Sequence, residues 1–311
     1  MESIPGPTPA EPAPSYTLPT APGPAPDAGP TPAAVTLPPL VLPGPDGSLA
    51  PFDPGARPSR FDARDYGVSA LYKAAGDVTA GPPRSATVSP LGPVLTQRGG
   101  RCVAYGFAGA LQHAIWTQTG KWVQLDADQF FAAGGGNDAY GWEIAQALAW
   151  AYHNGIYALD PATHQDAALL KISGYYRVPH TAPDVQVALY QASRHKGWSP
   201  LLWETAWPNP WFSPAKGTGL LAPGARDYVY GHLTYLWRYL PRVYGSTDVI
   251  ATGRNSWGPW GVNGNYEVGL SDVLSPELLW GLWQFEFRAA DHAGFMRDIV
   301  GLTAAAPAGE G

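Results

Sequence analysis

The chain reads as an α+β protein, with helices first and strands second. Three observations predict this class. Apolar residues recur at three- and four-residue spacing in stretches between residues 102 and 194. Beyond them, short aromatic or β-branched runs alternate with glycine and proline, the pattern of strands and turns. Ahead of both lies an opening so rich in proline that it is expected to add neither helix nor strand.

Residues 1–58 hold 18 of the 34 prolines, and half of the other positions there are alanine, glycine or threonine. Proline lacks an amide hydrogen, so this density predicts an extended, solvated tail acting as a flexible tether. The expected organisation is a disordered tail over 1–58, one folded domain over 59–304 and a flexible C-terminus over 305–311.

Charge and cysteine usage exclude several classes. Glu2, Glu11, Asp27, Asp46 and Asp53 carry five of the six net negative charges, and no lysine or arginine precedes Arg57. The folded part is therefore close to neutral and lacks the basic face expected of a nucleic-acid binder. The N-terminus has neither the cationic start nor the apolar core of a secretory signal. No stretch approaches the roughly 18–20 apolar residues of a membrane span. A single cysteine excludes an intramolecular disulfide framework and points to a cytoplasmic or phage-associated setting.

Within the domain, a mostly apolar helix opens at Cys102, runs to about Thr119 and stops at Gly120. A second spans Trp142 to His153 and ends at Asn154-Gly155. A third runs from about Pro183 to Arg194 and closes on cations, where the dipole favours them. Strands are expected at Leu201–Trp203, Tyr228–Tyr230, His232–Tyr239, Val249–Ala251 and Tyr266–Val268. The cluster Trp198, Trp203, Trp207 and Trp211 suits core and cleft-wall packing.

Cys102 is placed where a thiol has chemical use. It follows Thr96-Gln97-Arg98-Gly99-Gly100-Arg101 and opens a helix, so the positive end of the macrodipole favours its thiolate. Downstream come Gly231-His232 and then Arg254-Asn255-Ser256-Trp257-Gly258. Nucleophilic catalysis by a thiol needs a base, a group that orients the base, and donors for the oxyanion. Read singly, these residues also suit a buried inert cysteine, a packed strand histidine and a turn asparagine.

Four ordered blocks resemble the papain-like cysteine proteases. They are Thr96 to Leu111, the glycine-rich turn Gly134 to Trp142, Tyr230-Gly231-His232-Leu233, and Asn255 to Tyr266. The resemblance implies a two-lobed fold, with a helical lobe carrying the cysteine, a β-barrel-like lobe carrying the histidine and asparagine, and a cleft between. It implies Cys102 as nucleophile, His232 as acid and base, Asn255 as orienter of His232, and Gln97 as oxyanion donor beside the Cys102 amide. With Arg101 and His232 nearby, a thiolate at neutral pH is expected.

The implied substrate is a peptide or protein. No cofactor is expected, and no metal, since there is no His-Glu-x-x-His and no second thiol. The chain departs from the pattern in four places. The Gln97-to-Cys102 spacing is one residue short, Arg101 replaces a small residue, Val103 replaces a tryptophan, and Leu233 replaces a small residue. Two alternatives follow: a peptidoglycan-acting thiol amidase, and a non-catalytic papain-fold scaffold of the virion-associated kind.

Overall fold

The computed structural model describes residues 40–43, 49–52, 56–59, 85–241, 248–292 and 294–295. Most of the tail expected over 1–58 and the C-terminus expected over 305–311 lie outside the described residues. The elements run, in order, as strands β1 (Leu40–Pro43), β2 (Leu49–Phe52), β3 (Ala56–Arg57) and β4 (Ala86–Thr87), then helices α1 (Cys102–Thr119) and α2 (Ala127–Ala133). Next come β5 (Trp142–Glu143), α3 (Ile144–His153), β6 (Ile156–Leu159), β7 (Asp166–Leu170), β8 (Gly174–Arg177) and α4 (Ala182–Arg194). The remaining strands are β9 (Leu201–Pro208), β10 (Tyr228–Leu240), β11 (Ile250–Arg254), β12 (Asn265–Gly269) and β13 (Leu279–Glu286). Among the described residues no helix is long and apolar enough to cross a membrane.

The α+β reading holds. β12, β11, β10, β9, β13 and β8 lie side by side in a seven-stranded sheet whose seventh member, β4, pairs with β10. Two hydrophobic clusters build the interior. One surrounds α1 with Phe107, Phe130, Trp142, Leu148 and Phe285. The other lies on the sheet with Trp203, Trp207, Trp211, Leu236 and Tyr266. The tryptophans therefore pack as core: Trp203, Trp207 and Trp211 are fully buried.

α1 keeps the bounds its sequence predicts, ending on Gly120 in the left-handed region at φ 69°. It is buried on nearly every side, as an apolar helix without a polar face must be. Its closest approach is to β10. A Cβ on Gly106 would lie 3.2 Å from the Leu233 side chain, and one on Gly109 would lie 3.0 Å from Tyr235. These two glycines share one face of the helix and let it settle onto the strand that carries His232.

Three expectations change. The second helix begins at Ile144, because Trp142–Glu143 is extended and pairs with β3. The tail is not uniformly strandless: Leu40–Pro43 pairs antiparallel with Leu49–Phe52. The apolar run Leu40-Val41-Leu42 has strand character, Pro43 sits at the strand end and Pro51 in a two-stranded pair, where a missing donor is tolerated. Residues 56–58, assigned to the tail, also pack on the domain. β3 pairs parallel with β5, and Ala56 and Ser59 are buried.

The turn before β5 needs its glycines. A Cβ on Gly134 would stand 2.3 Å from the Trp142 ring and 3.0 Å from the Phe130 carbonyl. Gly134→Ala is expected to cost about 1–3 kcal/mol through overpacking. For a domain of this size that lowers Tm by roughly 2–4 °C per kcal/mol, which a thermal melt reads directly.

Candidate active site

Cys102 is the first residue of α1, and the helix begins without a side-chain cap. Arg101 occupies the cap position but turns away from the sulfur. Its guanidinium donates to Asp138 Oδ1 and Oδ2 and to Asp128 Oδ1, each at 2.9 Å, and its charge lies over the Phe131 ring. The unusual arginine thus ties the loop before β5 to the head of α1.

The His232 ring is held from three sides. Nε2 lies 2.9 Å from Asn255 Oδ1. Trp257 stacks on the ring at 4.5 Å between centroids and 27° between planes, and Trp207 meets it edge-on at 4.8 Å. Because Asn255 Oδ1 also accepts the Ser256 amide at 2.7 Å, the asparagine oxygen faces the ring and fixes Nε2 as the protonated nitrogen. Nδ1 is left with no hydrogen-bond partner.

Removing that oxygen leaves two buried donors unpaired. Asn255→Ala is expected to destabilise the fold by about 2–4 kcal/mol, and Asn255→Asp, which keeps an acceptor, by clearly less. Equal melting temperatures for the two variants would show that the acceptor is not what matters.

The helix that begins at Cys102 lies against the strand that carries His232, through the contact of Gly106 with Leu233. The backbone amide of Leu233, the residue after His232, faces the Cys102 sulfur together with the amides of Val103 and Cys102 itself. These donors favour thiolate, yet burial outweighs them and pushes the thiol up to about 12, with the nearby Glu204 acting in the same direction. Burial also holds His232 down to about 4, against the opposing effect of Asn255. The pair is therefore neutral, and Nδ1 makes no hydrogen bond to the sulfur. This differs from the thiolate expected from the sequence. Water is kept from both groups, at 0% and 1% exposure, and desolvation opposes charge on each.

Residues 56–59 pack on the strand that carries His232. Ala56 belongs to the same hydrophobic cluster as Cys102. Its carbonyl oxygen crowds Gly231, where a Cβ would lie only 2.1 Å away. Arg57 Nη2 donates to the Gly141 carbonyl at 3.3 Å, and Ser59 Oγ donates to Glu204 Oε1 at 3.1 Å. The segment thus spans from β5 and the head of α3 to β10 and β9.

Gln97 lies beside this network, with both ends of its amide engaged. Its Oε1 accepts from Ser256 Oγ at 2.6 Å, its Nε2 donates to the Gly99 carbonyl at 2.8 Å, and its backbone amide donates to the Ser256 carbonyl at 2.7 Å. The shortened loop closes with Gly99 in the left-handed region at φ 53°. Gln97 is so joined to the residue after Asn255, with its donor turned to its own loop.

Sequence reasoning missed Glu204. It is fully buried in β9, with its register partner Leu233 in β10. One carboxylate within the apolar run Leu201–Trp207 was the available signal.

A thiol at the head of a central helix, with that helix packed on the strand that carries a histidine–asparagine pair, is the arrangement of the papain-like fold. The comparisons agree. No protein-family model matches the chain, and no curated protein matches its sequence. Solved structures match it at low identity. Xylellain, a cysteine protease from Xylella fastidiosa, aligns with a TM-score of 0.61 and 17% identity, over 82% of this chain and 100% of that one. Digestive procathepsin L 3 of the Tenebrio molitor larval midgut aligns at 0.52 and 16%, over 68% of this chain and 72% of that one. The proform of the ragweed pollen allergen Amb a 11, a cysteine protease, gives 0.51 and 16%, over 72% and 74%. The chain has a papain-like fold.

Proposed function

We propose that the chain is a cysteine peptidase that hydrolyses peptide bonds through an acyl-enzyme on Cys102. The observation that carries this is the His232 ring. Asn255 and two tryptophans fix it so that Nδ1 is the ring nitrogen left free, on the residue adjoining the backbone amide that faces the Cys102 sulfur.

In this reading His232 Nδ1 takes the thiol proton as the sulfur attacks the carbonyl carbon, then passes it to the leaving amine. Water, losing a proton to the same nitrogen, attacks the thioester and releases the acid. The Cys102 amide donates to the oxyanion in both steps. Gln97 joins it after Nε2 leaves the Gly99 carbonyl, a rotation of the side chain alone. The neutral, buried pair is the resting state, and turnover requires substrate and water to reach it.

The test is hydrolysis of casein and of bacterial cell walls by the native chain and by Cys102→Ala. Cysteine-dependent clearing of casein supports the peptidase. Clearing of cell walls alone moves the assignment to a thiol amidase. No labelling of Cys102 by a thiol-reactive epoxide, with residues 56–59 removed, would sink both.

A further inference from the structure

We propose that Arg101 is a positioning residue for the reaction on Cys102. Its guanidinium, gripped by Asp138 and Asp128, sets the loop from Gln97 to Cys102 and thereby the Cys102 amide. The proposal rests on the peptidase reading for the step that uses this amide; the grip itself stands on geometry.

The loop is strung between two parts of the fold. At its start it is tied to the segment after β11: the Gln97 amide donates to the Ser256 carbonyl at 2.7 Å, and Thr96 bridges to Trp257. At its end the helical side holds it. Arg101 Nε and Nη2 donate to the two oxygens of Asp138, in the turn before β5, and Nη1 donates to Oδ1 of Asp128, in the first turn of α2. Between these ends Arg98 and Gly99 are exposed. The loop leans on the same aspartate, since a Cβ on Gly99 would lie 3.8 Å from Asp138 Oδ1.

The peptide that joins Arg101 to Cys102 carries the amide in question. Its carbonyl accepts the Tyr105 amide at 3.1 Å, the first bond of α1, while the Cys102 amide is one of the opening donors that a helix leaves without an internal partner. No side chain caps this end, and Arg101 stands at φ −93° and ψ 23°, away from the extended backbone of a capping serine or aspartate. The usual device that fixes a first turn is missing here, and the Arg101 side chain takes its place.

An exposed ion pair is weak by itself, whereas a bidentate fork within a network is not. All three Arg101 bonds are 2.9 Å long. Asp128 also accepts from the Tyr105 hydroxyl at 3.0 Å, which ties the same carboxyl to α1, and the guanidinium lies over the Phe131 ring. The Arg101 fork holds the Asp138 carboxyl below the ordinary carboxylate range, so the grip is closed at neutral pH.

Net charge is not what this cluster supplies. Arg98 lies 3.6 Å from Asp128, so two arginines and two aspartates sum to zero. A lysine at position 101 would keep the charge and lose the fork. A role in ionising the thiol survives that change, and a role in placing the amide does not. Alkylation separates the two again: it consumes the thiolate without forming an oxyanion, whereas acylation by a peptide needs the amide donor as well.

The experiment uses the full chain and compares it with Arg101→Lys, Arg101→Ala and Asp138→Asn. Three quantities are read: peptide hydrolysis, alkylation of Cys102 by iodoacetamide, and hydrogen exchange of the amides from Gln97 to Cys102. Arg101→Lys and Arg101→Ala are each expected to lower kcat by about 10²-fold, with KM and the alkylation rate within about twofold of native. Asp138→Asn, which loosens the grip from outside the loop, is expected to lower kcat about tenfold. Exchange of the loop amides should quicken by about tenfold or more in each variant. Melting curves check folding, and if the Arg101 variants do not fold, Asp138→Asn carries the same three readings. Native kcat in Arg101→Lys overturns the proposal, because charge then suffices. Equal falls in kcat and alkylation overturn it too, because Arg101 then acts on the thiol. Unchanged exchange in folded variants overturns the grip whatever the activity. No hydrolysis by the native chain, with faster exchange in Arg101→Lys, overturns the peptidase reading and with it the use of the grip in catalysis, and leaves Arg101 holding the loop.

Discussion

Cys102→Ala is expected to reduce peptide hydrolysis by about 10⁴-fold or more in kcat, close to the limit of detection. The chain contains one cysteine, so no second thiol can replace it. The serines near the cleft are tied into other contacts: Ser256 Oγ donates to Gln97 and Ser59 Oγ to Glu204. His232→Ala is expected to cost nearly as much, because the thiol then has no base and burial alone governs its proton. The double variant should be little worse than either single one, since residues that act as a unit lose their effect together. The fold should survive the cysteine change, which removes one small buried atom. Retention of more than a few per cent of native kcat by Cys102→Ala would rule out the acyl-enzyme.

Removal of residues 1–59 is expected to raise the rate of Cys102 alkylation at pH 7 by about 10³–10⁴-fold. In the covered state the thiol lies at about 12, which leaves a thiolate fraction of roughly 10⁻⁵ at neutral pH. An uncovered thiol near the ordinary value of about 8.5 carries a few per cent thiolate, and the head of α1 lowers it further. The pH profile gives the sign. A thiol raised by burial stays protonated through neutral pH, so the native chain should alkylate slowly until strongly alkaline pH, whereas the shortened chain should reach its plateau several units earlier. In the intact chain, Arg57→Pro should act in the same direction, because it removes a β3 amide and the Arg57 bond to the Gly141 carbonyl. Equal rates for native and shortened chains, with melting curves showing both folded, would mean that residues 56–59 do not guard the sulfur.

The local determinants were legible in the residue order alone. The apolar run after Cys102, ended by Gly120, specifies α1 almost to the residue, because helix propagation and its glycine stop are short-range effects. Pro183 and the cations at Arg194 to Lys196 mark α4 for the same reason. The triad candidates were nameable because a papain-like order of motifs is a linear property. What sequence could not supply was burial across the chain. Trp142–Glu143 continues an apolar helical pattern, yet it is extended because β3, some 85 residues earlier in sequence, pairs with it. The helix dipole beside Cys102 predicts a thiolate, yet tertiary packing excludes water and keeps the thiol and imidazole neutral. Glu204 reads as one charge in an apolar strand, and only the sheet register sets it beside Leu233 and opposite a glycine. In each case the deciding quantity is desolvation or pairing between segments far apart in sequence, which exists only once the chain has folded.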